Sequence, residues 1–387
     1  MDVTVKGSSM IRPAQDTPKE RQWISNLDMP QVLKEALSKT LVPFYPMAGR
    51  LGLDETGRLE ILCNTEVVLG IEAETTSAMD DLEGFTPSSK LRKLVPTVDY
   101  SGDISSYPLV MAQVTTFKCC GVCLGIATHH TLTDGTTAFH FINSWSELAR
   151  GLPQISIPPL IDRTLLRARV PPIPRFHHLE YDPPPSLNTC MSLGPNNHKS
   201  SIVSVFKITQ NQLNALKKAK SWEHGNKTNY STYTILAAYI WRCATKARGL
   251  SYDQPTKLYM PTNGRPRLHP LLPSRYVGNA MFTASLIALS GNLQSEPFVN
   301  TLERVHGILR RMDNEYLRSA LDYLETLPDI TAARRAPDTF QCPNLNIINW
   351  IRLYIHEADF GWGRPIYMGP ANIVHEGKNI PTTESNR

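Results

Sequence analysis

The stretch Val122–Gly135, VCLGIATHHTLTDG, reads as a β-strand that runs into a helix. Val122, Leu124, Ile126 and Thr128 alternate along it and share one face. From Gly135 the period changes. Ala138, Phe141, Ile142, Trp145, Leu148 and Ala149 recur at helical spacing until Gly151 stops them. Asp134 stands at the helix entry, where its carboxylate can cap the first turn. His129 and His130 therefore sit at a strand-to-helix corner, from which a side chain can face a cleft.

The pair raises three readings: a metal site, a general base with a helper, or two ordinary histidines beside a cap. A metal needs further ligands, and His130, Asp134 and His140 do not share a helical face, so no metal is expected. A general base is the sharper alternative. Imidazole titrates near neutrality and can take a proton from an alcohol or amine that attacks a carbonyl. HxxxD alone is weak support for it.

Outward from this corner, Tyr107–Phe117 is a second apolar, β-branched run, joined to the first through Cys120-Gly121 as a hairpin. The CxxC within Lys118–Cys123 reads as part of that turn, because Cys190, Cys243 and Cys342 are isolated and form no second ligand pair. Gln31–Leu41 places Val32, Leu33, Ala36, Leu37 and Leu41 on one helical face before Pro43 and Pro46. Residues 151–185 are dense in proline and lose helical period, as a crossover linker does. Beyond it the spacing predicts helices over 209–220, 231–248 and 297–324, with strands over 280–289 and 347–355. Helices and strands mixed without regular βαβ alternation indicate an α+β protein of two domains.

The chain has 387 residues, enough for two domains, and 41% apolar against 19% charged residues is a globular balance. A net charge of +5, scattered along the chain, is too mild for a nucleic-acid partner and suits an anionic small ligand. The opening MDVTVKGSSM lacks a secretory pattern, and no uncharged run reaches membrane-span length. Seven cysteines without regular spacing fit reduced thiols in a cytoplasmic protein.

A second landmark stands far downstream: Asp359-Phe360-Gly361-Trp362-Gly363, followed by Arg-Pro. Two glycines and a tryptophan in five residues suggest a tight loop with an aromatic plug. HxxxD followed by DFGWG resembles the plant BAHD acyl-CoA-dependent acyltransferases, most of all the shikimate/quinate hydroxycinnamoyltransferases and rosmarinate synthases. LVPFYPMAGR at 41–50, HFINSWSELARG at 140–151, YIWRCATKARGL at 239–250 and the run DFGWGRPIYMGP carry the likeness across nearly the whole chain.

The resemblance implies two similar-sized domains of mixed sheet and helices with a channel between them. Residues 1–185 form the HxxxD half, ending in the proline-rich linker, and 186–387 the DFGWG half. It implies direct transfer of a p-coumaroyl or caffeoyl group from hydroxycinnamoyl-CoA, as co-substrate, to the hydroxyl of a small acid such as shikimate or quinate. Hydroxyphenyllactate, as in rosmarinate synthases, is the alternative acceptor. No cofactor stays bound, and the enzyme works as a monomer. His130 is then the base, with no acyl-enzyme formed. Asp134 pairs with Arg265 or Arg267, and the sequence does not choose between them. Tyr230, Ser231 and Thr232 open a helix beside CoA, while DFGWG keeps the channel in shape away from the chemistry. Arg335 meets the acceptor carboxylate, and Trp350 and Ile348 line its pocket.

Three departures stand against this pattern. Ile348 replaces a threonine that would contact the acceptor. Asn26-Leu27-Asp28 runs almost directly into the helix, where relatives have a longer segment. The pattern is lost at Lys378 in favour of a polar tail with no strand period. Unpaired strand edges and an incomplete core are the expected result, and a poorly active relative that still binds CoA esters is the competing function.

Overall fold

The computed structural model describes residues 1–11, 29–55, 57–64, 66–187, 202–219, 229–333, 337–373 and 375–383. The first half runs β1 (Val3–Ile11), α1 (Met29–Thr40), β2 (Arg50–Leu53), β3 (Leu59–Leu62), β4 (Val68–Thr75), α2 (Ser89–Arg92), β5 (Val110–Phe117), β6 (Val122–Thr128) and α3 (Gly135–Ala149). The second half runs α4 (Gln210–Ala219), α5 (Thr232–Ala247), β7 (Pro255–Asn263), β8 (Met281–Leu289), α6 (Ser290–Ser295), α7 (Phe298–Arg311), α8 (Asn314–Thr326), β9 (Leu345–Ile347) and β10 (Lys378–Asn379).

Two mixed sheets result, each with its own core. The first has the order β1-β4-β5-β6, with β4 and β5 parallel and both outer pairs antiparallel. Leu33 and Leu37 of α1 and Phe141 and Trp145 of α3 close its core, and the Trp145 indole N–H donates to the Leu33 carbonyl at 2.9 Å. The second sheet has the order β10-β9-β7-β8. Ile235 and Trp241 of α5, Leu302 of α7 and Leu317 of α8 pack on it as a separate core. This is the α+β architecture expected from the mixed pattern.

The proline-rich crossover is held at fixed points. Lys257 of β7 is fully buried and donates to the Leu179 and Asp182 carbonyls at 2.7 and 2.9 Å. The Glu180 carboxylate accepts from the His178 ring at 3.0 Å and from the Tyr316 hydroxyl at 2.6 Å. Burial and that carboxylate hold the Tyr316 hydroxyl well above its ordinary pKa.

The structure corrects three readings of the sequence. The helix expected over 297–324 is two helices, broken at Met312, with Asp313 capping α8 by accepting from the Tyr316 N–H at 3.0 Å. The strand expected over 347–355 is only the short β9, after which the chain turns at Trp350–Leu353. The tail does carry a strand: β10 runs parallel to β9, and the Ile348 and Trp350 N–H groups donate to Asn379 and Pro381 at 2.8 and 3.0 Å. Residues 202–209 belong to no strand, and Ile202 and Phe206 there are 88% and 86% exposed. No helix among the described residues is long and apolar enough to cross a membrane.

The β5–β6 hairpin has one position that admits only glycine. A Cβ at Gly125 would lie 1.8 Å from the Leu94 carbonyl oxygen, a backbone atom that cannot rotate away. Gly125→Ala is therefore expected to lower stability by about 1–3 kcal/mol, read as a fall in the melting midpoint. An unchanged midpoint would show that the 94–95 backbone backs away freely.

Candidate active site

Asp134 caps α3 as the sequence suggests: its Oδ1 accepts from the Thr137 N–H at 2.9 Å. The same carboxylate has a partner from the other half. Arg265 Nη1 donates to Oδ2 at 2.6 Å and Nη2 to Oδ1 at 3.2 Å, a two-pronged ion pair with both side chains buried. The Ala280 N–H adds a bond to Oδ2 at 2.9 Å, so the carboxylate accepts four hydrogen bonds. Arg265 Nη2 also donates to the Tyr276 and Gly278 carbonyls at 3.2 and 3.1 Å. Arg267 is not the partner. It donates to the Leu309 and Met312 carbonyls at the end of α7.

This lock fixes the turn before α3 and, with it, the two histidines. His130 is exposed and lines a cavity of about 2620 Å³ bounded by both sheets. A single small ligand needs roughly 300–1,000 Å³, so this space admits a large thioester and a second substrate together. The His130 carbonyl accepts from the Asn279 side chain at 3.2 Å, which pins the turn from beyond Arg265. His129 points elsewhere: its Nδ1 accepts from the Thr131 N–H at 3.3 Å. Burial, and then the neighbouring His130, hold His129 below the ordinary imidazole range.

Trp350 and Ile348 line the same cavity, as do Ser231 and Thr232 at the start of α5. Ser231 caps that helix by accepting from the Thr234 N–H at 3.1 Å. Tyr230 does not join them. It turns into the second core, edge-on to His306 at 5.1 Å. Arg335 lies outside the described residues. Asn279, Thr137 and Ala280 carry no sequence signal of their own, although Thr137 stands at the third position of a capped helix, where its N–H must find an acceptor.

The loop at 359–363 folds around its aspartate. Asp359 Oδ1 accepts from the Gly361 and Gly363 N–H groups, each at 2.9 Å. Both glycines have positive φ, +108° and +97°, which a side chain disfavours. The aromatic plug is Phe360, edge-on to Trp145 at 5.3 Å, while Trp362 is 37% exposed. Arg150, at the end of α3, donates to the Asp359 carbonyl at 2.6 Å. Asp134 and this loop thus hold opposite ends of one 15-residue helix, about 22 Å apart.

Of the two CxxC thiols, Cys120 is in the hairpin turn and Cys123 is in β6. Cys119 and Cys120 are exposed, and burial pushes the Cys123 thiol up to about 11. His140 donates to the Ile157 carbonyl at 2.8 Å. No group of three His, Cys, Asp or Glu side chains gathers as a metal site among the described residues.

A family described as the Transferase family matches residues 30–386. Shikimate O-hydroxycinnamoyltransferase of Nicotiana tabacum is 51% identical over 402 residues, covering 97% of this chain and 92% of its own. Rosmarinate synthase of Plectranthus scutellarioides is 44% identical over 413 residues, covering 99% of this chain and 94% of its own. The crystal structure of vinorine synthase shares the fold, with a TM-score of 0.68 at 17% identity, and the match covers 98% of this chain and 91% of that one.

The Asp134–Arg265 pair sets a test. Asp134→Asn keeps a capping oxygen but leaves the guanidinium buried without its counter-charge. The expected loss is about 3–5 kcal/mol of stability, with activity falling alongside the melting midpoint. Adding Arg265→Met should cost less than the sum of the single changes, since the second removes the stranded charge. A normal midpoint with abolished activity in Asp134→Asn would place this carboxylate in the chemistry instead.

Proposed function

Because the chain belongs to the Transferase family, the BAHD acyl-CoA-dependent acyltransferases, we propose that it moves a hydroxycinnamoyl group from CoA to the hydroxyl of a small acid of shikimate type. The observation that carries this is the placement of His130 on a cavity shared by both halves, with Asp134 locked behind it. The 51% identity to a shikimate O-hydroxycinnamoyltransferase, against 44% to a rosmarinate synthase, favours the shikimate-type acceptor over hydroxyphenyllactate.

In this mechanism the neutral imidazole of His130 takes the proton of the acceptor hydroxyl as its oxygen attacks the thioester carbonyl. A tetrahedral intermediate forms and collapses, the C–S bond breaks, and the proton passes from imidazolium to the CoA sulfur. No acyl-enzyme intervenes. Ser231 and Thr232, at the N-terminal end of α5, face the CoA side of the cavity, where amide N–H groups suit phosphate or pantetheine oxygens. The glycine-rich loop at 359–363 supports Trp145 and α3 through Phe360 and Arg150, and Phe360, Trp362 and Gly363 also line the cavity. All described cysteines are free thiols, which suits the cytoplasm.

A second reading, a relative that binds CoA esters with little turnover, draws on the exposure of Ile202 and Phe206. A thermal melt with and without p-coumaroyl-CoA, beside a thiol-release assay over shikimate, quinate, hydroxyphenyllactate and spermidine, separates the two. Stabilisation by the thioester without thiol release favours the second.

His130→Ala should lower turnover by about 10²–10⁴, or roughly 3–5 kcal/mol of barrier, with the melting midpoint and thioester binding nearly unchanged. His129→Ala should cost far less. Equal losses in single-turnover measurements on the two variants would sink the assignment of the base.

A further inference from the structure

The cavity wall built by the second sheet carries a cation that the transfer chemistry leaves unused. β9 and β10 run parallel, with Asn346 opposite Lys378 and Ile347 opposite Asn379. Side chains alternate faces along a strand, so Asn346 and Ile348 share a face with Lys378 and Ile380. All four line the cavity that holds His130. The Lys378–Asn346 rung lies about 7 Å from Ile348 along the strand.

Lys378 is half-buried on this wall, its Nζ 5.9 Å from the centre of the Phe340 ring. The nearby carboxylate, Glu376, faces Arg248 at 3.6 Å and accepts from the Cys342 N–H at 3.2 Å. Among the described residues Lys378 forms no ion pair. Its pKa is lowered by burial, as expected of a cation that has lost water and gained no counter-charge. His375, also on the wall, is held below the imidazole range by burial and by Lys378.

Asn346 supplies an independent observation. It is 5% exposed, lines the cavity, and its amide oxygen has no hydrogen-bond partner among the described residues. An unmet buried amide oxygen costs free energy that a ligand donor recovers. A hydroxyl both donates and accepts, and so satisfies either end of the amide.

We propose that Lys378 and Asn346 form a subsite for a hydroxy acid, the ammonium meeting the acceptor carboxylate and the amide meeting one of its hydroxyls. This rests on the acyl transfer proposed above and narrows its acceptor. A neutral alcohol or an amine lacks the group that Lys378 selects, and a cationic amine is repelled by it.

The test compares wild type with Lys378→Met, which keeps the aliphatic stem over Phe340 and removes the charge. Each is assayed with p-coumaroyl-CoA against shikimate and against methyl shikimate, the same alcohol without the carboxylate. The shikimate KM should rise about ten- to a hundredfold in the variant, with the KM values for methyl shikimate and p-coumaroyl-CoA unchanged. Equal losses on acid and ester, or a rise in the thioester KM instead, overturn the subsite. A wild type that turns over no acceptor defeats the proposed transferase function, and calorimetric titration then decides the subsite by itself. Wild type must bind shikimate more tightly than its methyl ester, and Lys378→Met must lose that preference. A wild type without the preference refutes the subsite.

Discussion

A buried ion pair between Asp134 and Arg265 joins the two halves of this protein, and the active-site geometry depends on it. Two ions lose hydration to form it, a cost that only good geometry and extra hydrogen bonds offset. Both are present: the carboxylate accepts four hydrogen bonds, and the guanidinium reaches the Tyr276 and Gly278 carbonyls behind it. The aspartate is at once the cap of α3 and the anchor of the segment before β8. One residue therefore sets the start of a helix and the docking of the other half. His130, four positions earlier, inherits its place on the cavity from that lock.

Helix α3 carries the constraint to the other motif. Its first turn is held by Asp134, and its end is held by Arg150 on the Asp359 carbonyl, with Trp145 against Phe360 between them. The loop at 359–363 is thereby tied to the Asp134 end by a rod about 22 Å long, and Phe360, Trp362 and Gly363 also form part of the cavity wall. Trp350, Leu353, Phe360 and Met368 all pack against the first core although they follow β9 of the second sheet. The two halves are laced together by exchange of chain as well as by charge.

What the sequence made legible was local. The β5–β6 hairpin, α1 and α3 announce themselves because their apolar period is continuous and their stops, prolines or glycine, lie at the ends. The break between α7 and α8 escaped because Met312 is apolar and keeps the helical register, while the capping role of Asp313 shows only when Tyr316 is found above it. β7 was hidden by Pro255 and Pro261, which interrupt a run otherwise rich in strand formers. The choice of Arg265 over Arg267 rests on a contact across 131 residues, which no local period encodes. Tyr230 illustrates the same limit: the neighbours of a helix cap face the cavity, and only the packing around His306 sends the tyrosine inward. The short β10 was invisible because two residues with one apolar neighbour make no alternation.

The wall proposed to meet the acceptor is apolar at Ile348, where the family resemblance implies a threonine. An isoleucine at 348 offers no hydrogen bond, so a polar acceptor must find its partners elsewhere on the same face. The next rung is where we propose they lie, an amide at 346 and an ammonium at 378, on strands whose backbone pairing fixes their spacing. Sites that pair a substrate hydroxyl or carboxylate reject analogues lacking it, because the partner is then left buried and unmet. Apolar contact from Ile348 and Trp350 discriminates far less. In the proposed subsite, selection among acceptors beside Ile348 therefore falls to Asn346 and Lys378.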